Sequence, residues 1–180
     1  MTSVPPFSEV EQLFAHARAG LTPRHRDHLH ELGVPRPMVD TFGLVGCARV
    51  VPVSDYAFDF APGDEGTAAY IVAARGVGDF VANAERTSAL VDPVRDLVAF
   101  APSRPHQWRI YYGVVPLLGA LTFGGRRLTP VWPTPLDWLR SGARGVVILD
   151  RRIVERPLVE VMPQSHADVA FRRATAWRAA

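Results

Sequence analysis

The stretch Leu44-Val45-Gly46-Cys47-Ala48-Arg49-Val50-Val51 is where the hydrophobic pattern changes from helical to extended. Its β-branched valines favour a strand, and Pro52 ends the run. Before it, apolar residues recur at helical spacing, and after it short apolar runs are separated by turn residues. The sequence therefore predicts an α+β fold, with a small helical unit over residues 1–43 and an α+β domain over residues 44–180. We expect the two to form one compact structural domain.

Three short helices are predicted on the N-terminal side of this stretch. The first covers about residues 8–19 and ends at Gly20. Thr22 is a favoured N-cap and Pro23 suits the first helical position, so a second helix is expected over about 22–32. A third, shorter helix is expected around the apolar residues Met38, Val39 and Phe42.

A central, mainly antiparallel sheet is predicted on the C-terminal side. Apolar runs between turn residues indicate strands at Tyr56–Phe60, Thr67–Arg75, Val77–Ala84, Leu97–Phe100 and Trp108–Tyr112. Two of these runs flank Gly76, which favours a hairpin. The proline-rich stretch Ala101–His106 is expected to be a loop, and Val114–Leu118 fits either a short helix or a strand.

The last third of the chain mixes helix and strand signals. Thr134 is a good cap for a short helix over Pro135–Ser141, and Val146–Leu149 is expected to be a buried strand. A final helix over about 166–178 is predicted to pack on the sheet through Phe171 and Trp177.

The cationic residues exclude several mechanisms. All 20 of the lysine and arginine positions are arginine, so a P-loop, a Schiff-base lysine and a Ser/Lys dyad are ruled out. The bias towards Arg, Ala, Gly, Pro and Val is typical of a GC-rich genome, which accounts for the missing lysine. No Gly-x-Ser-x-Gly nucleophile elbow and no dinucleotide-binding Gly-x-Gly-x-x-Gly occurs.

The position of the arginines is more informative than their number. Residues 1–100 contain 8 arginines against 13 acidic residues, whereas residues 101–180 contain 12 against 5. Arginine binds phosphate bidentately, so the favoured interpretation is a non-catalytic protein that contacts nucleic acid or another acidic partner through its second half. The expected phosphate contacts are Arg126, Arg127, Arg151, Arg152, Arg172 and Arg173.

Aromatic residues alternate with cations over the stretch Arg104–Tyr112. Rings in such a pattern can stack on bases. The alternative is that Trp108, Trp138 and Trp177 are core residues and that the arginines only solvate the surface.

A second hypothesis is a small metal-dependent or acid–base enzyme. His25 and His28 are three residues apart and fit one helix face, where a metal would need a third ligand from His16, Cys47 or an acid. The acids Asp55, Asp59, Asp64 and Glu65 offer a second candidate region. Each has a structural alternative: a polar helix face for the histidines, a buried thiol for Cys47, and a solvated hairpin for the acids. No cofactor is predicted.

A third hypothesis is a protein–protein interaction module of a mobile element, docking through exposed aromatic residues such as Trp132. The N-terminus lacks the pattern of a secretion signal, apolar runs are far shorter than a membrane span, and a single cysteine cannot form an internal disulfide. We therefore expect a cytoplasmic protein without a membrane partner. The sequence leaves the oligomeric state open.

A short segment carries a family resemblance. Gly20-Leu21-Thr22-Pro23, followed by Leu32-Gly33-Val34-Pro35 and Val39-Asp40-Thr41-Phe42-Gly43-Leu44, resembles the helical segment that precedes the Toprim domain in bacterial and phage DNA primases. The Asp-x-Asp of the primase metal site and the zinc-binding module are missing, so the resemblance implies no catalytic activity. The chain is also similar to small proteins carried by GC-rich proteobacterial genomes and their prophages.

Overall fold

A computed structural model describes residues 7–75, 93–119 and 130–149 of the chain. The helices are α1 (Phe7–Ala19), α2 (Pro23–Glu31) and α3 (Pro135–Arg140), with a π-helical turn at Pro37–Thr41. The strands are β1 (Val45–Pro52), β2 (Phe58–Phe60), β3 (Thr67–Arg75), β4 (Val94–Ala101), β5 (Arg104–Ile110), β6 (Leu117–Leu118) and β7 (Val147–Ile148). The protein therefore has the predicted α+β fold, with helices preceding an antiparallel sheet.

Five strands form one curled antiparallel sheet in the order β2-β1-β3-β4-β5. β1 pairs with β2 on one side and with β3 on the other. The first strand of the sequence is therefore an inner strand of the sheet. The curl brings the two ends of the sheet together, because the Ile110 amide donates to the Tyr56 carbonyl at 2.9 Å. β6 and β7 form a separate two-stranded antiparallel pair.

The sheet separates two hydrophobic clusters, and β3 contributes to both. Tyr70 and Val72 face a cluster that includes residues from α2, α3 and the β6–β7 pair. Ile71 and Ala73 face the other cluster, which includes α1. Because both faces of β3 are covered, its apolar residues are nearly continuous in sequence instead of alternating with polar ones.

Small residues let α1 lie close to its face of the sheet. Gly46 on β1 pairs with Ile71, and Ala48, two residues further along β1, pairs with Ala69. A Cβ built on Gly46 would lie 2.6 Å from the carbonyl carbon of Ala17. The backbones of α1 and β1 are thus in direct contact, and any side chain at residue 46 would force them apart.

Asp96 is fully buried in β4, and its carboxylate binds backbone amides. Oδ1 accepts from Leu97 at 2.8 Å and from Tyr112 at 2.9 Å, and Oδ2 accepts from Val114 at 2.8 Å and from Val115 at 3.5 Å. These bonds fix the segment that leaves β5 and leads to β6. A buried carboxylate is stable here because amide donors replace water around both oxygens.

Most of the predicted elements are confirmed within two or three residues, but the loop predicted at Ala101–His106 was wrong. The loop expected at Ala101–His106 is a tight turn, because β4 ends at Ala101 and β5 begins at Arg104. Pro105 lies inside β5, a position that proline tolerates because β5 is at the end of the sheet. The third helix is a single π-helical turn, and Val114–Leu118 contains the short strand β6.

Several predictions concern parts of the chain outside the described residues. These are the strand at Val77–Ala84 and the final helix at about 166–178. The domain boundary at residue 43 also stays a prediction. Among the helices of the described residues, none is both long and apolar enough to cross a membrane.

Candidate functional site

A cluster of titratable side chains lies between α2 and the sheet. Thr22 caps α2, since its hydroxyl accepts from the His25 amide at 3.4 Å. This cap orients the first turn so that His25 comes close to β1 and His28, one turn later, comes close to β3. Both rings contact Tyr70, with centroid distances of 6.3 and 6.1 Å respectively. We call His25, His28, Cys47 and Tyr70 the α2–sheet cluster.

His25 and Cys47 form one half of this cluster. Nε2 of His25 lies 3.8 Å from Sγ of Cys47, and the thiol is almost fully buried, with 9 % of the residue exposed. Burial raises the pKa of the Cys47 thiol. The protonated thiol is therefore favoured, as in the buried structural thiol predicted from sequence, although it has the imidazole neighbour that sequence did not place.

Tyr70 and His28 form the other half. The Tyr70 hydroxyl donates to the His25 carbonyl at 3.2 Å and lies 3.0 Å from Nδ1 of His28. When the Tyr70 hydroxyl donates its hydrogen to the His25 carbonyl, only a lone pair of the Tyr70 oxygen is left for His28. His28 then carries its proton on Nδ1 and donates it to this oxygen. Burial is the main cause that raises the pKa of Tyr70 to about 12, and the charge of Cys47 is the second cause.

We expect Tyr70 to make the protein less stable in alkali. A tyrosine of the unfolded chain ionises near pH 10, whereas Tyr70 in the folded protein keeps its proton up to about pH 12. Its contribution to the free energy of unfolding is complete below pH 10 and is lost as the pH rises through 12. Between pH 9 and pH 11 the loss amounts to about 1 kcal/mol. Urea unfolding at both pH values measures it, and Tyr70→Phe should show a correspondingly smaller decrease. Equal decreases in the two proteins would contradict the assignment.

The histidines and acids do not assemble the metal site considered from sequence. His28 is bonded to Tyr70, and His30 lies near Asp40 at 3.8 Å and near the Val34 carbonyl at 3.2 Å. Asp55, Asp59 and Asp64 are exposed, and Asp59 accepts from the next amide. Across residues 7–75, 93–119 and 130–149, no three His, Cys, Asp or Glu side chains are grouped closely enough to hold a metal ion.

The structure describes part of the arginine-rich second half of the chain. Its described segments contain four arginines, Arg104, Arg109, Arg140 and Arg144, against the single acid Asp137. Arg140 bonds the Leu32 carbonyl at 2.6 Å and Asp137 at 3.3 Å, and Arg109 bonds the Ser54 carbonyl at 3.1 Å. Arg104 and Arg144 are exposed. Two of the four arginines thus connect elements of the fold, and two present their charge to solvent.

The described aromatic residues of this half are mainly structural. Trp108 and Trp138 are buried, as the core interpretation predicts, and the Trp138 indole donates to the Gly145 carbonyl at 3.0 Å. Trp132 is half-buried and donates to the Arg144 carbonyl at 2.6 Å. Tyr111 and Tyr112 pack together at a centroid distance of 4.2 Å. These rings do not form a row of exposed stacking surfaces.

All six arginines predicted to contact phosphate lie outside the described residues, so their relative positions stay a prediction. Comparisons of the chain with protein-family models, curated proteins and solved structures each found no match. The resemblance of residues 20–44 to primases likewise stays a prediction. Sequence reasoning missed Asp96 and Tyr70, because an acid or a tyrosine within a strand pattern carries no signal that it will be buried.

Proposed function

We propose that this protein is a non-catalytic binding protein that contacts the phosphate backbone of nucleic acid through its arginine-rich second half. The observation that carries the proposal is the separation of charge along the chain, with 12 arginines against 5 acidic residues after residue 100. Arginine is the residue best suited to phosphate, because its planar guanidinium forms two parallel hydrogen bonds.

The ion pairs of the fold support this proposal. Asp40 is paired with Arg26 at 2.9 Å and lies near His30, all three within the first half of the chain. Asp137 is paired with Arg140, both within the second half. Among the described residues, no arginine after residue 100 lies within 4 Å of a carboxylate from the first half. The acids of the first half therefore do not neutralise the four described arginines of the second half, and two of these, Arg104 and Arg144, are exposed to solvent.

The pattern of exposure favours backbone contact over base recognition. Arg104 and Arg144 are exposed, while the neighbouring tryptophans Trp108 and Trp138 are buried. Without exposed tryptophans beside them, these arginines favour contact with the phosphate backbone over stacking on bases. We therefore expect affinity for duplexes of unrelated sequence, which depends on salt more than on sequence.

Paired arginine substitutions test this function. We expect Arg126→Gln/Arg127→Gln, Arg151→Gln/Arg152→Gln and Arg172→Gln/Arg173→Gln each to weaken binding to a fluorescent DNA duplex at low salt. Each pair should reduce the slope of log K against log salt by about 2, because each lost phosphate contact releases about one counterion fewer. Fluorescence anisotropy at several salt concentrations measures both quantities.

Arg24→Gln/Arg36→Gln is the matched control, because it removes two exposed arginines from the first half. This control should leave the slope unchanged. If the control weakens binding as much as the second-half pairs do, the charge of the whole protein is responsible and the proposed surface is wrong.

A further inference from the structure

We propose that Cys47 and His25 form a two-ligand site for a thiophilic metal cation of the monovalent copper class. Sγ and Nε2 are 3.8 Å apart. In zinc sites a thiolate bonds the metal at about 2.3 Å and an imidazole nitrogen at about 2.0 Å, so a linear two-ligand ion would place the two atoms about 4.3 Å apart. The pair therefore needs to open by only a few tenths of an ångström to hold such an ion.

The other nitrogen of His25 is compatible with the assignment. Nδ1 lies 3.3 Å from the Gly20 carbonyl and 3.3 Å from the Thr22 amide, and these two contacts require opposite tautomers. With the proton on Nδ1, the ring donates to Gly20 and its Nε2 lone pair faces Cys47. A metal-binding histidine usually donates its second N–H to a carbonyl in this way. Metal binding would select this tautomer and give up the bond from Thr22.

The small number of ligands determines the class of cation. Within the described part of the chain, no third His, Cys, Asp or Glu completes a group around Cys47. A structural zinc ion is held by four protein ligands and a catalytic one by three, so zinc should bind weakly here. Soft cations prefer thiolate, and monovalent copper is the physiological member of that class. Binding replaces the thiol proton, which leaves as H⁺ while the sulfur–metal bond forms.

The test is titration of the protein under anaerobic conditions with monovalent copper, and with silver(I) as a redox-inert substitute. We expect one equivalent to bind, with a thiolate-to-metal absorption band. Cys47→Ser should remove the band, and His25→Ala should lower the affinity at least tenfold. The matched control is His28→Ala, since His28 lies on the same helix but bonds Tyr70 instead of Cys47; it should retain the wild-type affinity.

Imidazole ¹⁵N NMR of the unmodified protein covers the case in which a variant fails to fold. The His25 Nε2 resonance should shift on addition of silver(I), while the His28 resonances should change little. Absence of the absorption band, equal affinity in His25→Ala, or an unchanged Nε2 resonance would each overturn the proposal.

Discussion

Asp96→Ala is expected to destabilise the folded protein by about 4 kcal/mol, because it removes the buried acceptor of three backbone amides. Asp96 is 0 % exposed and accepts three well-formed bonds of 2.8 to 2.9 Å from Leu97, Tyr112 and Val114. Small domains are stable by only about 5–15 kcal/mol, so this single change removes a large share of the total. The free energy of unfolding in urea, followed by tryptophan fluorescence, measures the effect.

Asp59→Ala provides the matched control. Like Asp96, Asp59 accepts a bond from the amide of the next residue, at 2.7 Å, but it is exposed and water can replace the carboxylate. We expect a change within about 0.5 kcal/mol. If Asp96→Ala does not fold, Asp96→Asn retains the shape and one acceptor oxygen and should show about half of the loss. Equal effects at residues 59 and 96 would contradict the role assigned to Asp96.

Gly46→Ala is expected to cost about 3 kcal/mol, the upper part of the range for overpacked sites. The added Cβ would lie 2.6 Å from the Ala17 carbonyl carbon and 2.8 Å from the Arg18 nitrogen. Both are backbone atoms of α1, so the contact is relieved only if the helix moves away from β1. Such movement would also disturb the packing of Val10 and Phe14 on the same face of the sheet.

Gly63→Ala serves as the control for this prediction. No atom lies within 4 Å of a Cβ at Gly63, and its φ of +58° is the main obstacle to a side chain. We expect a cost of about 1 kcal/mol from the left-handed conformation alone. Urea midpoints of the two variants compare the effects directly. A smaller loss at residue 46 than at residue 63 would show that α1 adjusts without cost.

The elements of the fold were predictable from sequence because their signals are local. Thr22 and Pro23 predict the start of α2, and the apolar run Thr67–Arg75 coincides with β3. The curl of the sheet was not predictable, since it depends on the contact between Tyr56 and Ile110, far apart in the chain. Pro105 was misleading because proline normally indicates a loop, whereas a strand at the end of a sheet accepts it.

The candidate site could likewise be predicted only in part from the sequence. The grouping of His25 and His28 on one helix was visible from their spacing, but their partners were not. Cys47 and Tyr70 come to them from β1 and β3, which pair with each other in the register Cys47 opposite Tyr70. Such long-range pairing is a property of the assembled sheet, so sequence left the thiol and the imidazoles as separate observations.

The central claim is that the second half of the chain binds the phosphate backbone of nucleic acid. Its most direct test is the association constant for a DNA duplex of arbitrary sequence, measured as a function of salt concentration. With six phosphate contacts, we expect log K to fall with log salt at a slope of about −5, which is a loss of about a thousandfold between 50 and 200 mM salt. No binding at low salt, or binding that is indifferent to salt, would contradict the claim.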